Sequence, residues 1–249
     1  MIFDLFRAGI LASVAKLSPL KRSHILLACM PKSGSSFLAD AISRLPGMRQ
    51  TSLSLSSRHR EQELDLHILA RKANRNYVAQ QHIKYSEETG RLLSKFDIRP
   101  IVLTRNLFDI IPSIRDHVRN ESSEMPMAWL DPACANYNDA ELECLIADLV
   151  MPWYVNFYVS WQHCPNALWV TYDQVRTDPE GVLKEISEFS GINAGASIEQ
   201  AVAAAKAERR RFNVGASGRG ENISPEAREW VCRLFSHYRN IDFQRIGAK

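Results

Sequence analysis

The stretch that decides the fold is His24-Ile25-Leu26-Leu27-Ala28-Cys29-Met30, which runs straight into Pro31-Lys32-Ser33-Gly34-Ser35-Ser36-Phe37-Leu38. The first part is almost wholly apolar and reads as a buried strand. The second is small and hydroxyl-rich, and Phe37 to Leu45 then has the apolar spacing of an amphipathic helix. A strand that empties through a tight turn into a helix leaves the first backbone N–H groups of that helix without partners. They carry about half a unit of positive charge, which favours a phosphate-like anion. Lys32 adds a full charge, and Ser33, Ser35 and Ser36 add hydroxyl donors. A nucleoside-triphosphate loop ends in Gly-Lys-Ser/Thr. Here the lysine precedes the loop's glycine, so that spelling is excluded.

Outward from this junction the chain is ordinary for a globular protein: 249 residues, 45% hydrophobic and 24% charged. That length supports one large α/β domain, and no repeat, low-complexity tract or linker divides residues 1–249. A net charge of +3 suits an anionic ligand but is too small to argue for nucleic acid as a partner. The cysteines (Cys29, Cys134, Cys144, Cys164, Cys232) are odd in number, widely spaced and without a CxxC pair. A disulfide framework or a zinc site is therefore not expected, and a reducing compartment, the cytoplasm, is.

The N-terminus, MIFDLFRAGILASVAKL, is broken by Asp4, Arg7 and Lys16 and is too short to span a bilayer. No small-residue cleavage site follows a clean apolar stretch, which argues against a signal peptide. Two readings stay open: an amphipathic helix over residues 1–22 packed on the domain, or a helix whose residues 1–17 touch a membrane surface.

Four apolar runs read as buried strands: residues 24–30, Tyr77 to Ile83, Pro100 to Thr104, and Ala167 to Tyr172. Each precedes a helical pattern, over 35–45, 86–96, 107–119 and 178–190. This alternation predicts a three-layer α/β sandwich: a central parallel sheet with helices on both faces. Ligands of such sheets bind beyond the carboxyl ends of the strands, where the first loop falls. Residues 46–62 read as a surface loop. Residues 120–140, with Met125, Pro126, Met127, Trp129, Pro132 and Tyr137, read either as a lid or acceptor pocket or as a cover for the core.

Other chemistry-bearing residues fall at the same edge. The third strand ends in Thr104-Arg105-Asn106, which aims a guanidinium, a two-pronged phosphate ligand, at the ligand side. Ser113, eight residues on, stands about two helical turns away. Pro112 just before it predicts a kinked or late-starting helix. The second strand ends in Gln80-Gln81-His82-Ile83-Lys84, and a histidine there can take a proton from an attacking hydroxyl. Tyr172 closes the fourth strand, and Asp178-Pro179 reads as an N-cap followed by a first-turn proline. Near the C-terminus, Arg209-Arg210-Arg211 precedes Gly215-Ala216-Ser217-Gly218-Arg219-Gly220, a basic run beside a glycine turn that suits an anion clamp.

In order and spacing, these motifs over roughly residues 24 to 240 resemble the sulfotransferases that use 3′-phosphoadenosine 5′-phosphosulfate (PAPS). The resemblance implies a P-loop-NTPase-like sandwich and PAPS as sulfuryl donor, with no metal. Lys32, Ser33, Gly34, Ser35 and Ser36 would hold the 5′-phosphosulfate. Phe37, where the family usually has tryptophan, and Tyr172 would meet the adenine. Arg105, Ser113 and Gly215 would hold the 3′-phosphate, with Arg211 and Arg219 as substitutes for an Arg-Lys pair that here reads Asn213-Val214. His82 would be the catalytic base and Lys32 would neutralise the leaving group. Glu61 and Glu63 are the alternatives, on the pattern of family branches with a glutamate base.

The chain departs from the family at Gln80-Gln81, where Lys-Thr is common, and at Leu107, where proline is common. The acceptor implied is a hydroxyl or amine of a small, lipid-like or carbohydrate molecule. A nucleotide kinase and a catalytically inactive nucleotide-binding module remain as other readings. The first lacks Gly-Lys-Ser/Thr and a clear Mg²⁺-binding aspartate at a strand end.

Overall fold

A computed structural model of the chain describes residues 22–55, 61–208 and 218–248. The expected N-terminal helix, apart from Arg22, and Arg209 to Ser217, including the candidates Arg211 and Gly215, lie outside the described residues. In chain order the elements are β1 (His24–Cys29), α1 (Ser35–Ser43), β2 (Gln50–Thr51), α2 (Leu66–Lys72) and β3 (Tyr77–Gln81). Then come α3 (Glu87–Lys95), β4 (Ile98–Thr104), α4 (Leu107–Asn120), α5 (Asp139–Leu149), α6 (Met151–Trp161) and β5 (Leu168–Thr171). The chain closes through α7 (Tyr172–Thr177), α8 (Pro179–Ser190), α9 (Ser197–Ala207) and α10 (Pro225–Ser236).

The strands form one sheet in the order β2-β3-β1-β4-β5, and every pairing is parallel. A parallel sheet must be covered on both faces, and β1, the middle strand, shows how. Ile25, Leu27 and Cys29 point to a core shared with α1, α8 and α9, while Leu26, Ala28 and Met30 point to one shared with α4, α5, α6 and α10. The period of two that splits these residues is that of a strand. Burying each leucine contributes about 1.5–3 kcal/mol, and all of β1 except His24 is fully inaccessible. The register pairs Ala28 with Gln81, Cys29 with Leu103 and Thr104 with Thr171. Lys32, His82, Arg105 and Tyr172 therefore all follow strands that end on one edge.

Several expectations are corrected in detail. Pro112 neither delays nor stops α4, which starts at Leu107 and runs on to Asn120. The Asn106 side chain caps it by accepting from the Phe108 N–H at 2.9 Å. The carbonyl that Pro112 leaves without its helical donor is that of Phe108, and the Gly220 backbone packs against it so closely that a Cβ there would lie 2.5 Å from the Phe108 carbonyl carbon. Tyr172 is not the last strand residue but the first of α7, because Thr171 and Gln174 form a capping box. The loop read over 46–62 carries the short β2, and the segment over 120–140 holds a 3₁₀ turn at Pro132–Asn136 and a bridge between Glu124 and Trp129.

Among the described residues, the one stretch long and apolar enough to cross a membrane is Asp139–Trp161, most of which is buried inside the protein. It comprises α5 and α6. All five cysteines are free thiols.

Candidate active site

The turn between β1 and α1 is shaped by two residues in left-handed backbone, Lys32 (φ 62°) and Gly34 (φ 79°). Such a conformation costs a non-glycine residue about 1–2 kcal/mol, so Lys32 is held there by its surroundings. Arg105 supplies one restraint: its Nη1 donates to the Lys32 carbonyl at 2.8 Å. Ser33 supplies another, donating its Oγ–H to the Met30 carbonyl at 2.5 Å from a fully buried position. A hydroxyl has one proton, and this one closes the turn. What Ser33 can offer an anion is its backbone N–H rather than the hydroxyl that the sequence suggested.

Ser35 is buried, accepts from Gln80 Nε2 at 2.8 Å and hydrogen-bonds the Cys29 thiol, whereas Ser36 is exposed. No side chain caps the N-terminus of α1, and its first turn contains no acid. The helix thus presents its opening N–H groups beside the Lys32 turn. The Lys32 ammonium stands 3.7 Å from the Glu121 carboxylate.

Arg105 ties this turn to the far side of the sheet. It is 7% exposed, and its guanidinium lies 4.2 Å above the Tyr172 ring. That ring closes on Gly34, where a Cβ would meet Tyr172 at 3.1 Å. Burial lowers the Arg105 pKa, an effect that Asp109 and Asp173 oppose and Arg219 adds to. The group stays charged, since guanidinium starts far above neutral pH. Gly34, Phe37, Tyr172, Val175, Arg176, Pro179 and Lys206 line an adjoining cleft with aromatic walls.

Ser113 is buried on α4, flanked at one helical turn by Asp109 and Asp116. Both carboxylates hold the C-terminal turn. Asp109, 5% exposed, accepts from Gly218 N–H at 3.1 Å through Oδ2 and from Gly220 N–H at 2.7 Å through Oδ1. Asp116 pairs with Arg219 at 2.6 Å. Sequence reasoning missed Asp109. An acid in a helix's first turn is an ordinary dipole-favoured residue, and nothing local announces that it will receive two N–H groups from more than a hundred residues away.

His82 follows β3 and is clamped from two sides. Its N–H donates to Gln62 Oε1 at 2.8 Å, and its ring Nδ1 lies 2.9 Å from the Cys29 carbonyl and 3.5 Å from Cys29 Sγ. A carbonyl can only accept, so Nδ1 carries the hydrogen and Nε2 holds the lone pair. Burial lowers the pKa of the ring, partly offset by the Cys29 carbonyl. The imidazole is therefore neutral near pH 7. Burial pushes the Cys29 thiol up to about 12, which keeps it from acting as a nucleophile.

Of the alternative bases, Glu61 is engaged by Lys84 at 3.1 Å and by Trp153 Nε1–H at 3.2 Å, and Glu63 is exposed. Among the described residues, no group of three or more His, Cys, Asp or Glu side chains is arranged to hold a metal.

No curated protein sequence is similar enough to count as a match. Among solved structures, mouse sulfotransferase SULT7A1 complexed with PAP aligns with a TM-score of 0.65 at 21% identity, over 94% of this chain and 90% of that one. Sulfotransferase STF9 from Mycobacterium avium aligns at 0.57 and 13% identity, over 95% and 81%. Retinol dehydratase in complex with androsterone and inactive cofactor PAP aligns at 0.55 and 12% identity, over 94% and 86%. These likenesses are of fold. The sequence profile described as "Sulfotransferase domain" matches residues 22–214, from the entrance of β1 to the approach of the C-terminal turn, and by that match the chain belongs to the sulfotransferase domain family.

Proposed function

We propose that this protein transfers the sulfuryl group of PAPS to an acceptor hydroxyl, with His82 as general base. One observation carries the reading: the two anion-binding motifs touch. Arg105 donates to the Lys32 carbonyl at 2.8 Å and stacks on Tyr172, which itself packs on Gly34. Two positive sites held this close suit one ligand whose two anions branch from a single sugar, with a flat base beside them. PAPS has that form, and PAP (3′-phosphoadenosine 5′-phosphate), present in the mouse sulfotransferase structure, is what remains after it gives up the sulfuryl group.

In this assignment the α1 N–H groups, Lys32, Ser35 and Ser36 hold the phosphosulfate. The cleft between Phe37 and Tyr172 takes the adenine. Arg105, Ser113 and Arg219, with Arg211 and Gly215 from outside the described residues, grip the 3′-phosphate. His82 Nε2 removes the proton from the acceptor hydroxyl, whose oxygen attacks sulfur in line with the departing phosphate. The bond from sulfur to the 5′-phosphate oxygen breaks, and the charge left on that oxygen is met by Lys32 and the helix N–H groups. A sulfate ester and PAP result. The acceptor is a small molecule, and the segment 120–140 is the candidate for covering it.

Calorimetric titration tests the reading at its base: PAP binds, whereas AMP, which lacks the 3′-phosphate, binds at least tenfold more weakly. Equal affinity for the two removes the 3′-site from the proposal. His82→Ala retains PAP binding and loses turnover by about 10²–10⁴, the range of general-base catalysis. Full turnover by that variant moves the base elsewhere.

A further inference from the structure

At the end of α4, Glu121 is out of place electrostatically. It sits at the C-cap, where the helix already presents negative charge and a carboxylate is disfavoured. The structure surrounds it with positive or protonatable groups: the Lys32 ammonium at 3.7 Å and the His117 ring Nδ1 at 3.1 Å. The Lys32 backbone is restrained: its φ is 62° and its carbonyl accepts from Arg105. What can swing is the flexible four-carbon stem of the side chain, which ends in a compact point charge. The Glu121 side chain is 54% exposed and that of Lys32 21%. One ammonium is therefore within reach of two anions, a carboxylate at the α4 C-terminus and whatever the first loop binds.

We infer that Glu121 is a positioning residue that competes with the donor's 5′-anion for Lys32. It holds the ammonium toward α4, and cofactor binding must take Lys32 from it. The inference rests on the reading of Lys32 as a phosphosulfate ligand and assigns that site a built-in competitor. Its consequence is that donor affinity is set below what the loop alone would give, by about the worth of an exposed ion pair.

The test is a double-mutant cycle read by calorimetry, with PAP and separately with inorganic pyrophosphate as ligands. The proteins are the parent, Glu121→Gln, Lys32→Ala and the double variant. Glu121→Gln keeps the shape of an exposed side chain and leaves folding unaffected, which its thermal midpoint checks. The expected result is a two- to fivefold tighter Kd in Glu121→Gln with Lys32 present, and no change when Lys32 is absent. An unchanged Kd in Glu121→Gln overturns the inference. So does equal tightening in the Lys32→Ala background, which would make Glu121 a general source of negative field and no competitor for one group. If PAP fails to bind the parent protein, the functional reading falls. The pyrophosphate arm still decides the contest between Glu121 and the anion, because it asks nothing of the adenosine site.

Discussion

The two ends of the proposed cofactor cradle are built in opposite ways. The 5′ end is one unbroken segment, Pro31 to Phe37, whose donors are mostly backbone N–H groups at the start of α1. The 3′ end is assembled from Arg105 after β4, Ser113 inside α4 and the Gly218–Gly220 turn that Asp109 and Asp116 hold in place. Backbone donors come with the turn, so what holds them is whatever holds the turn, here the Ser33 hydroxyl on Met30 and Arg105 on the Lys32 carbonyl. Side-chain donors from separate segments need partners that fix them, and those partners carry the risk: each is a single atom contact on which the geometry depends. The 5′ end should therefore fail through lost chemistry and the 3′ end through lost affinity.

The sharpest way to break this contrast is to remove one charge from each end. Lys32→Ala should lower kcat by about 10²–10³, as when a donor to developing charge is lost. Arg105→Ala should instead weaken PAP by about 10- to 100-fold, the range for a hydrogen bond to a charged group, while AMP affinity changes far less. Steady-state kinetics with both nucleotides decides it. If Arg105→Ala lowers kcat while PAP affinity holds, the two ends are not separate devices.

The same contrast explains what could be read in the chain. The β1-to-α1 junction is local, so hydropathy, small residues and one lysine sufficed to place the sheet edge and the helix terminus. The placement of His82 and Arg105 at that edge was legible because each directly follows an apolar strand run. The handedness of the turn was not: nothing in Lys32-Ser33-Gly34 says that Lys32 will adopt φ 62° and carry the Ser33 hydroxyl under Met30. Asp109 was invisible because its partners are Gly218 and Gly220, joined to it only by the completed fold. Some signals were present and unused. Asn138 with Glu141 spells the capping box that opens α5, and Thr171 with Gln174 the one that makes Tyr172 helical.

A subtler test leaves every ligand-facing charge in place. Asp109→Asn is nearly isosteric but replaces one acceptor oxygen with an N–H₂ group that cannot accept. Of the Gly218 and Gly220 N–H groups, one then faces another donor at a site that is 5% exposed. Leaving a buried donor unsatisfied costs about 1–3 kcal/mol. The turn that carries Arg219 should loosen, with PAP affinity falling about tenfold and pyrophosphate affinity, which reports the 5′ end, staying within twofold. Equal losses for both ligands would mean that the turn supports the whole cradle and not one end of it.

The smallest effect expected is one of pH, and it falls on His82, on the far side of the 5′ turn from Arg105. The His82 ring is lowered from the ordinary histidine value of 6.5 by burial, with the Cys29 carbonyl opposing. The folded protein thus binds a proton at His82 less readily than the unfolded chain does. Where the two states differ, the unfolded state holds more protons, so stability rises with pH and is lost as pH falls below the unfolded pKa of about 6.5. Activity should follow the same sign. As the proposed base, His82 is already neutral at pH 7, so kcat/KM stays flat through neutral pH and declines only below 6.5. His82→Gln removes the acid-side decline in stability attributable to this ring, though His24, lowered likewise by burial, keeps its share. A kcat/KM midpoint above 6.5 would mean that a nearby anion, Glu61 beside the Gln62 that binds His82 being the candidate, stabilises the charged ring in the free enzyme. The hydrogen bond from Nδ1 to Cys29 would then not be what sets the proton.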